Sequence, residues 1–374
     1  DSFFKLERMT MSELGISIYP SKSSFQEMAA YLDQAASLGY TRIFTSILEV
    51  ADNPDETVQA FKAIIAHGNK LGMRTSIDVN PQLFQALNLG YEDMGFFADL
   101  GIWSLRLDEG FRGYEEAMIT HNPYGIMIET NISRGQHYID LIMDFGANKD
   151  RLIGSHNFYP QAYTGLDLDY FVETAIKYKA YNLRTAAFVD TASGKFGPWP
   201  LSDLMVSSEV QRNLPVTTQI QLLKATGVID DLFISSSLVD LDDLKAAAAS
   251  FFGTMPELQV QFREDTSALE RAICLDNIQL YRGDYSGYMI RSSQTRVKYR
   301  NEAVPATNTA AIQRGDILIG NDQAGQYKAE LQVALKDRPN LGERQNVIGH
   351  IREADRILLD WIQPWQSFRL VEDK

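Results

Sequence analysis

The chain has 374 residues, 45% of them hydrophobic and 22% charged, with 35 basic against 49 acidic side chains and a formal net charge of −14. This is globular composition, and its acidity argues against binding a phosphate backbone, so nucleic acid is not an expected partner. One cysteine, Cys274, excludes an internal disulfide framework and a thiolate metal cluster, and no run approaches the ~18 apolar residues of a membrane span.

Asp1–Thr10 lacks the basic start and apolar core of a secretion signal, so a cytoplasmic setting is expected, with the fold starting near Met11. From there the chain repeats one unit: an apolar run, a polar loop, then a helical pattern ending at Gly or Asn. The apolar runs are Leu14–Tyr19, Arg42–Ile47, Arg74–Val79, Trp103–Asp108, Gly125–Glu129, Leu152–His156, Thr185–Asp190 and Leu232–Ser236. Helical spacing fills the intervals, as in Phe25–Leu38 and Thr57–Leu71. Gly39, Gly72, Gly101 and Gly227 stand where helices should stop, and Asn182 does so after Leu168–Tyr181.

Strands alternating with helices imply parallel pairing, and eight such units predict a (β/α)8 TIM barrel over residues 11–255, an α/β fold. A doubly wound open sheet is the alternative. It would want a Gly-rich loop after the first strand, where Tyr19-Pro20-Ser21 stands instead.

Residues 256–374 differ in character. The chain carries 19 basic and 32 acidic side chains up to Met255, and 16 against 17 after it. Leu258–Phe262, Gln279–Tyr281, Ser286–Arg291, Asp316–Ile319, Tyr327–Leu335 and Arg356–Trp361 read as short strands of a smaller, mostly β domain, with Tyr327–Leu335 as a buried central strand. The tripeptides Arg282–Asp284 and Arg314–Asp316 spell an adhesion motif, but Gly-Asp ahead of a strand reads more simply as a turn.

In a barrel the loops after the strands build the active site on one face. The residues closing the runs are Tyr19, Glu49, Asp78, Asp108 with Glu109, Glu129, His156 with Asn157, Asp190, and Ser235 with Ser236. A barrel selected for stability alone has no reason to gather mutually repelling carboxylates at one mouth. Two chemistries use such a rim. One is glycoside hydrolysis by a pair of carboxyl groups. The other is a divalent metal held by carboxylates and His156, as in sugar isomerases. No run ends in lysine, which disfavours a Schiff-base aldolase, and no Gly-x-Ser-x-Gly elbow marks a serine hydrolase. Of the histidines only His156 is well placed, so a metal centre is not expected. Phe158, Tyr159, Trp199 and Tyr19 offer aromatic walls for a sugar ring.

Several motifs occur together and in order: Leu14-Gly15-Ile16-Ser17-Ile18-Tyr19-Pro20, Ser104-Leu105-Arg106-Leu107-Asp108-Glu109-Gly110-Phe111, Asn122-Pro123-Tyr124-Gly125, Ile128-Glu129-Thr130-Asn131 and Ile153-Gly154-Ser155-His156-Asn157-Phe158-Tyr159-Pro160. With Gly197-Pro198-Trp199, Arg212-Asn213-Leu214-Pro215, Arg291-Ser292-Ser293 and Gly320-Asn321, they resemble the MupG-like family from about Leu14 to the C-terminus. The resemblance implies a TIM barrel followed by a cyclophilin-like β domain, and 6-phospho-N-acetylmuramidase activity. The implied substrate is a phosphorylated amino-sugar disaccharide, from which N-acetylmuramic acid 6-phosphate is cut away from N-acetylglucosamine in cell-wall recycling. No cofactor is implied, and a homo-oligomer is compatible with it.

The resemblance assigns no roles. The expected catalytic pair is Asp108 and Glu129, from neighbouring strands, with Asp78 in reserve and His156 and Asn157 orienting. For the phosphate, Ser235 and Ser236 or the Gly194-Lys195 loop are candidates, with Arg291 or Arg282 of the second domain as alternatives. A metal-dependent phosphosugar isomerase or lyase on the same rim, and a carbohydrate-binding protein without turnover, remain the competing readings.

Overall fold

The computed structural model describes residues 11–46, 54–86, 88–198 and 203–373. The chain divides into two compact units, Asp1–Phe251 and Phe252–Lys374.

The first unit is a closed barrel of eight parallel strands in sequence order. They are β1 (Leu14–Ser17), β2 (Arg42–Ser46), β3 (Arg74–Val79), β4 (Ser104–Leu107), β5 (Met127–Asn131), β6 (Leu152–Ser155), β7 (Arg184–Val189) and β8 (Asp231–Ile234). Each falls within or against one of the eight apolar runs. The ring closes because β8 pairs with β1, Leu232 lying opposite Leu14. The outer helices start and stop where their own residues dictate. Ser24 and Glu27 form a reciprocal capping box ahead of helix Phe25–Ser37. Gly72 and Asn182 take φ of 78° and 59° at the ends of helices Pro54–Lys70 and Leu168–Ala180, where the chain must turn left-handed to enter the next strand. Among the described residues no helix is long and apolar enough to cross a membrane.

Alternate strand residues face the barrel axis, and here they are of two kinds. Phe44, Phe188 and Phe233 pack edge-on or tilted around Phe158, with Phe44 and Phe188 5.0 Å apart between ring centroids. Gly15 leaves space for them, since a Cβ there would lie 2.4 Å from the Phe233 ring. The other kind is polar. Arg42, Ser76, Ser104, Arg106 and Glu129 are buried, and Arg42 pairs with Asp231 at 3.1 Å. Arg184 also bonds Asp231, and Glu13 joins Arg74 and Arg184.

The second unit is a seven-stranded sheet. Its strands are β9 (Glu257–Phe262), β10 (Gln279–Leu280), β11 (Met289–Ser292), β12 (Asp316–Gly320), β13 (Leu331–Ala334), β14 (Gln345–Ile351) and β15 (Ser367–Glu372). The order is β10-β15-β9-β14-β12-β13-β11; β9 and β15 run parallel and the other neighbours antiparallel. Two expectations are corrected here. Arg356–Trp361 is not a strand but belongs to a 3-10 helix, Glu353–Asp360. Its buried residues Asp355, Leu358 and Leu359 recur at helical spacing, and the Asp355 carboxylate holds its start by accepting from Gln259 N–H. Tyr327–Leu335 shortens to β13 because Ala329 takes φ of 60°, which breaks an extended run, and the strand is not at the centre of the sheet. The central strand is β14, which the apolar pattern does not show because Asn346, Gly349 and His350 interrupt it. Both adhesion-like tripeptides form turns: Arg282 bonds Asp284 at 2.6 Å, and Asp316 accepts from Gln313 N–H.

Candidate active site

The chemistry of the barrel mouth is organised by a residue the sequence reading did not single out. Arg106 is the third residue of β4, faces inward and is 2% exposed. Its Nη1 donates to Asp78 Oδ1 at 2.6 Å and lies 3.5 Å from Asp108 Oδ1. Its Nη2 reaches Asn157 Oδ1, its Nε donates to Ser155 Oγ at 2.7 Å, and Glu129 Oε1 stands 4.0 Å from Nε. One buried guanidinium is thus shared by three carboxylates, which is what lets them sit so close together. Those carboxylates raise its pKa despite the burial that opposes its charge.

Asp78 and Asp108 line an open cleft of about 120 Å³ with Arg106, Asn157, Phe158 and Pro198. Two distances to one nitrogen bound the separation of these oxygens at about 6 Å or less, close enough for a glycosidase carboxyl pair. Their surroundings are unequal. Asp78 is buried, and that burial pushes its carboxyl up to about 7, with Asp108 and Glu129 adding to the rise and Arg106 opposing it. Asp108 is more open, its side chain 32% exposed. Asn131 steadies the Asp108 main chain by donating to its carbonyl at 2.9 Å.

Glu129 belongs to a deeper layer. It is 1% exposed and absent from the cleft wall; its Oε2 accepts from Ser76 Oγ at 3.0 Å and Ser104 Oγ at 3.2 Å, with Arg42 Nη2 3.7 Å away. The reason is barrel closure. Asp78, Arg106 and Glu129 are pairing partners in register, but an eight-stranded barrel of this type staggers by about one residue per strand. Two strands on, Glu129 has dropped to the level of Ser76. In the cleft, Asp108 therefore stands beside Asp78, with Glu129 in the layer below.

The remaining expected residues divide. Asn157 lines the cleft, and its N–H donates to Ser133 Oγ at 2.9 Å. Tyr159 is half-buried beside it, its main chain bridged to Val206. His156 does not face the mouth: it is fully buried, its ring stacked 4.1 Å from Phe171 of helix Leu168–Ala180. Burial lowers its pKa to about 3, so it is neutral, and its Nδ1 meets Ser133 Oγ at 3.1 Å. Only its backbone oxygen approaches Arg106. A residue directly after a strand can point to either side of the barrel wall, and His156 points outward.

Tyr19, Ser235 and Ser236 are also buried, and they spend their hydroxyls internally. Tyr19 donates to Ser235 O at 2.6 Å, Ser235 to Val189 O, and Ser236 to Asp190 Oδ1. Asp190 further accepts from Met205 N–H at 2.7 Å and Ser236 N–H at 3.2 Å. Gly194 rests directly on Ser236, where a Cβ would lie 1.9 Å from Oγ. Arg291 belongs to the second unit and forms a two-pronged pair with the buried Glu330, at 3.0 and 3.2 Å. Trp199 and Glu49 lie outside the described residues. Among those residues no group of three or more His, Cys, Asp or Glu is arranged to hold a metal ion. A period-two reading of Arg106 and Asp108 would have found the arginine, since residues two apart on a strand share a face.

Comparison with known proteins agrees with this architecture. A solved structure of an uncharacterized B. cereus protein is similar at 38% identity, covering 97% of this chain and 100% of that one, with a TM-score of 0.87. A conserved Enterococcus faecalis protein of unknown function shares the fold at 22% identity and a TM-score of 0.75, with 97% of each chain covered. No curated protein sequence matches. Two family models do: the 6-phospho-N-acetylmuramidase N-terminal model over residues 14–249 and the C-terminal model over residues 256–371. Both halves of the chain being matched, in order and nearly end to end, it belongs to the 6-phospho-N-acetylmuramidase family.

Proposed function

We propose that the protein hydrolyses the glycosidic bond of a phosphorylated amino-sugar disaccharide, freeing N-acetylmuramic acid 6-phosphate from N-acetylglucosamine, with Asp78 as proton donor and Asp108 as the attacking carboxylate. The observation that carries this reading is the shared guanidinium: two cleft carboxyl groups on one Arg106 nitrogen, in unequal surroundings. Environments that push two carboxyl groups apart in proton affinity separate an acid from a base. Asp78, raised to about 7, keeps a proton near neutral pH and delivers it to the leaving oxygen. Asp108 attacks the anomeric carbon, and water then releases the sugar with Asp78 returning as base. A separation of at most about 6 Å lies below the roughly 6.5–9.5 Å that inversion wants, which favours this retaining course.

Arg106 is a positioning residue in this scheme. It fixes both carboxylates, and Asn157 and Ser155 hold its other donors. A fixed guanidinium among the carboxylates also disfavours the metal-dependent reading, because a divalent cation there would face a buried positive charge. A substrate phosphorylated on entry to the cell fits a cytoplasmic enzyme of cell-wall recycling. The test is to incubate the protein with the disaccharide 6-phosphate, with and without chelator, and to look for both monosaccharides by mass spectrometry. Release of both in chelator supports the hydrolase. Release that stops with chelator moves the carboxylates to metal ligation, and no release from folded protein leaves a binding role.

A further inference from the structure

Asp78 is pinned by a direct 2.6 Å hydrogen bond from Arg106, but Asp108 is not. Among the described residues its carboxylate accepts no hydrogen bond, and Arg106 stands 3.5 Å away. Its place in the cleft is therefore set by its main chain and by the loop it opens, residues 108–113.

Both the carbonyls and the amides of that loop are held. Asn131 Nδ2 donates to Asp108 O at 2.9 Å, and Arg134 Nη1 to Glu109 O at 3.1 Å. One carboxylate takes the amides: Glu116 Oε1 accepts from Phe111 N–H at 2.5 Å, and its Oε2 from Gly113 N–H at 2.7 Å. Tyr138, the first residue of helix Tyr138–Asp144, donates its hydroxyl to the same Oε1 at 2.6 Å. The Arg134 guanidinium lies 4.2 Å over the Tyr138 ring. Gly110 turns at φ of 68°, where a Cβ would run into the Tyr138 hydroxyl.

Glu116 is more than a helix cap needs. It is fully buried, makes no ion pair among the described residues, and starts a helix of only 6 residues, Tyr114–Ile119. Glu27, in the capping box ahead of Phe25–Ser37, is exposed and keeps its charge in water. Burying a carboxylate without a cation is costly, and dense hydrogen bonding has to offset it. Burial, with Glu116 adding to it, raises the Tyr138 pKa, so the phenol stays protonated and donates. What this arrangement fixes is the turn directly after Asp108.

We propose that Glu116 and Tyr138 are positioning residues for Asp108, locking the turn at 110–113 so that the carboxylate is held in place through its main chain. Donors aimed at its own oxygens would stabilise the anion and weaken it as a nucleophile; anchoring the backbone avoids that. The proposal rests on the reading of Asp108 as the attacking group.

Steady-state kinetics on the disaccharide 6-phosphate test it, with Glu116→Gln, Tyr138→Phe, Thr120→Val and Asp108→Asn beside wild type. A glutamine turns an NH2 toward donors that need an acceptor, while phenylalanine removes one donor and keeps the ring under Arg134. The expected result is kcat lowered about tenfold or more in Glu116→Gln and about threefold in Tyr138→Phe, with KM within about twofold in both. Thr120 sits at the far end of the same helix, where its Oγ1 donates to Ala117 O and accepts from Asn148 N–H. Thr120→Val should lower Tm and leave kcat per folded molecule unchanged, which separates a loosened helix from a misplaced carboxylate. If kcat per folded molecule in Glu116→Gln and Tyr138→Phe stays within twofold of wild type, the positioning role is overturned, whatever happens to Tm. Should Glu116→Gln fail to fold, Tyr138→Phe decides by the same limit. Wild type without hydrolysis, or Asp108→Asn as active as wild type, instead overturns the barrel reading and the positioning role with it.

Discussion

Two sectors of the barrel gather carboxylates at strand ends, and they handle them differently. At β7 and β8, Asp190 is enclosed and takes hydrogen bonds from Met205 N–H, Ser236 N–H and Ser236 Oγ. Its acceptors are filled by its own neighbours, and burial still raises its pKa. At β3 and β4, Asp78 and Asp108 share one guanidinium and open onto a cleft. The first arrangement ties loops together. The second leaves the carboxyl groups on the wall of an open cleft. A carboxylate at a strand end is therefore informative about chemistry only once its partners are known.

The largest effect separating the sectors should come from Asp78→Asn and Asp108→Asn. Each is expected to lower kcat by about 10²–10⁴-fold in a disaccharide hydrolysis assay with the fold retained by circular dichroism. Glu129→Leu leaves Arg42 and Arg106 short of a counter-charge and is expected to cost about 3–5 kcal/mol in urea denaturation. Asp190→Ala orphans its donors, at about 1–3 kcal/mol for each, and should lower Tm while kcat per folded molecule changes less than threefold. An equal kcat loss at Asp190 and Asp108 would erase the distinction.

The smallest effect is in pH. Asp78 binds its proton more tightly folded than unfolded, so the folded state holds more protons between about pH 4 and 7. Its contribution to stability is thus greatest at low pH and is lost as pH rises toward 7. Wild type should lose stability relative to Asp78→Asn over that window in paired denaturant melts. With protonated Asp78 as the acid, kcat should also fall as pH rises through about 7, and that limb should vanish in Asp78→Asn.

Much of the fold was legible. The eight runs repeat at a spacing that leaves one helix between strands, and helix ends are marked by residues such as Gly72 and Asn182 that adopt left-handed φ at small cost. The second unit was read less well. Arg356–Trp361 looks like a strand in a short window, and only the one-sided burial of Asp355, Leu358 and Leu359 shows a helical turn. β14 is broken by Asn346, which bonds Glu270 and Pro305, and by Gly349, which lies against Gln261; both are tolerated because the strand is packed between β9 and β12.

The candidate site shows the same division. That carboxylates collect where strands end follows from the order of residues along the chain, because alternation and strand length are local properties. Which of them meet does not. The stagger that closes the barrel lowers Glu129 beneath Asp78, and the inward face of β4 puts Arg106 between them. His156 turns out toward Phe171 for a reason equally invisible locally, the flat ring waiting on an outer helix. Sequence sets which residues stand at the mouth of a barrel. Pairing register, shear and the packing of helices that are distant in the chain decide which of those residues touch, which are buried, and which remain free to react.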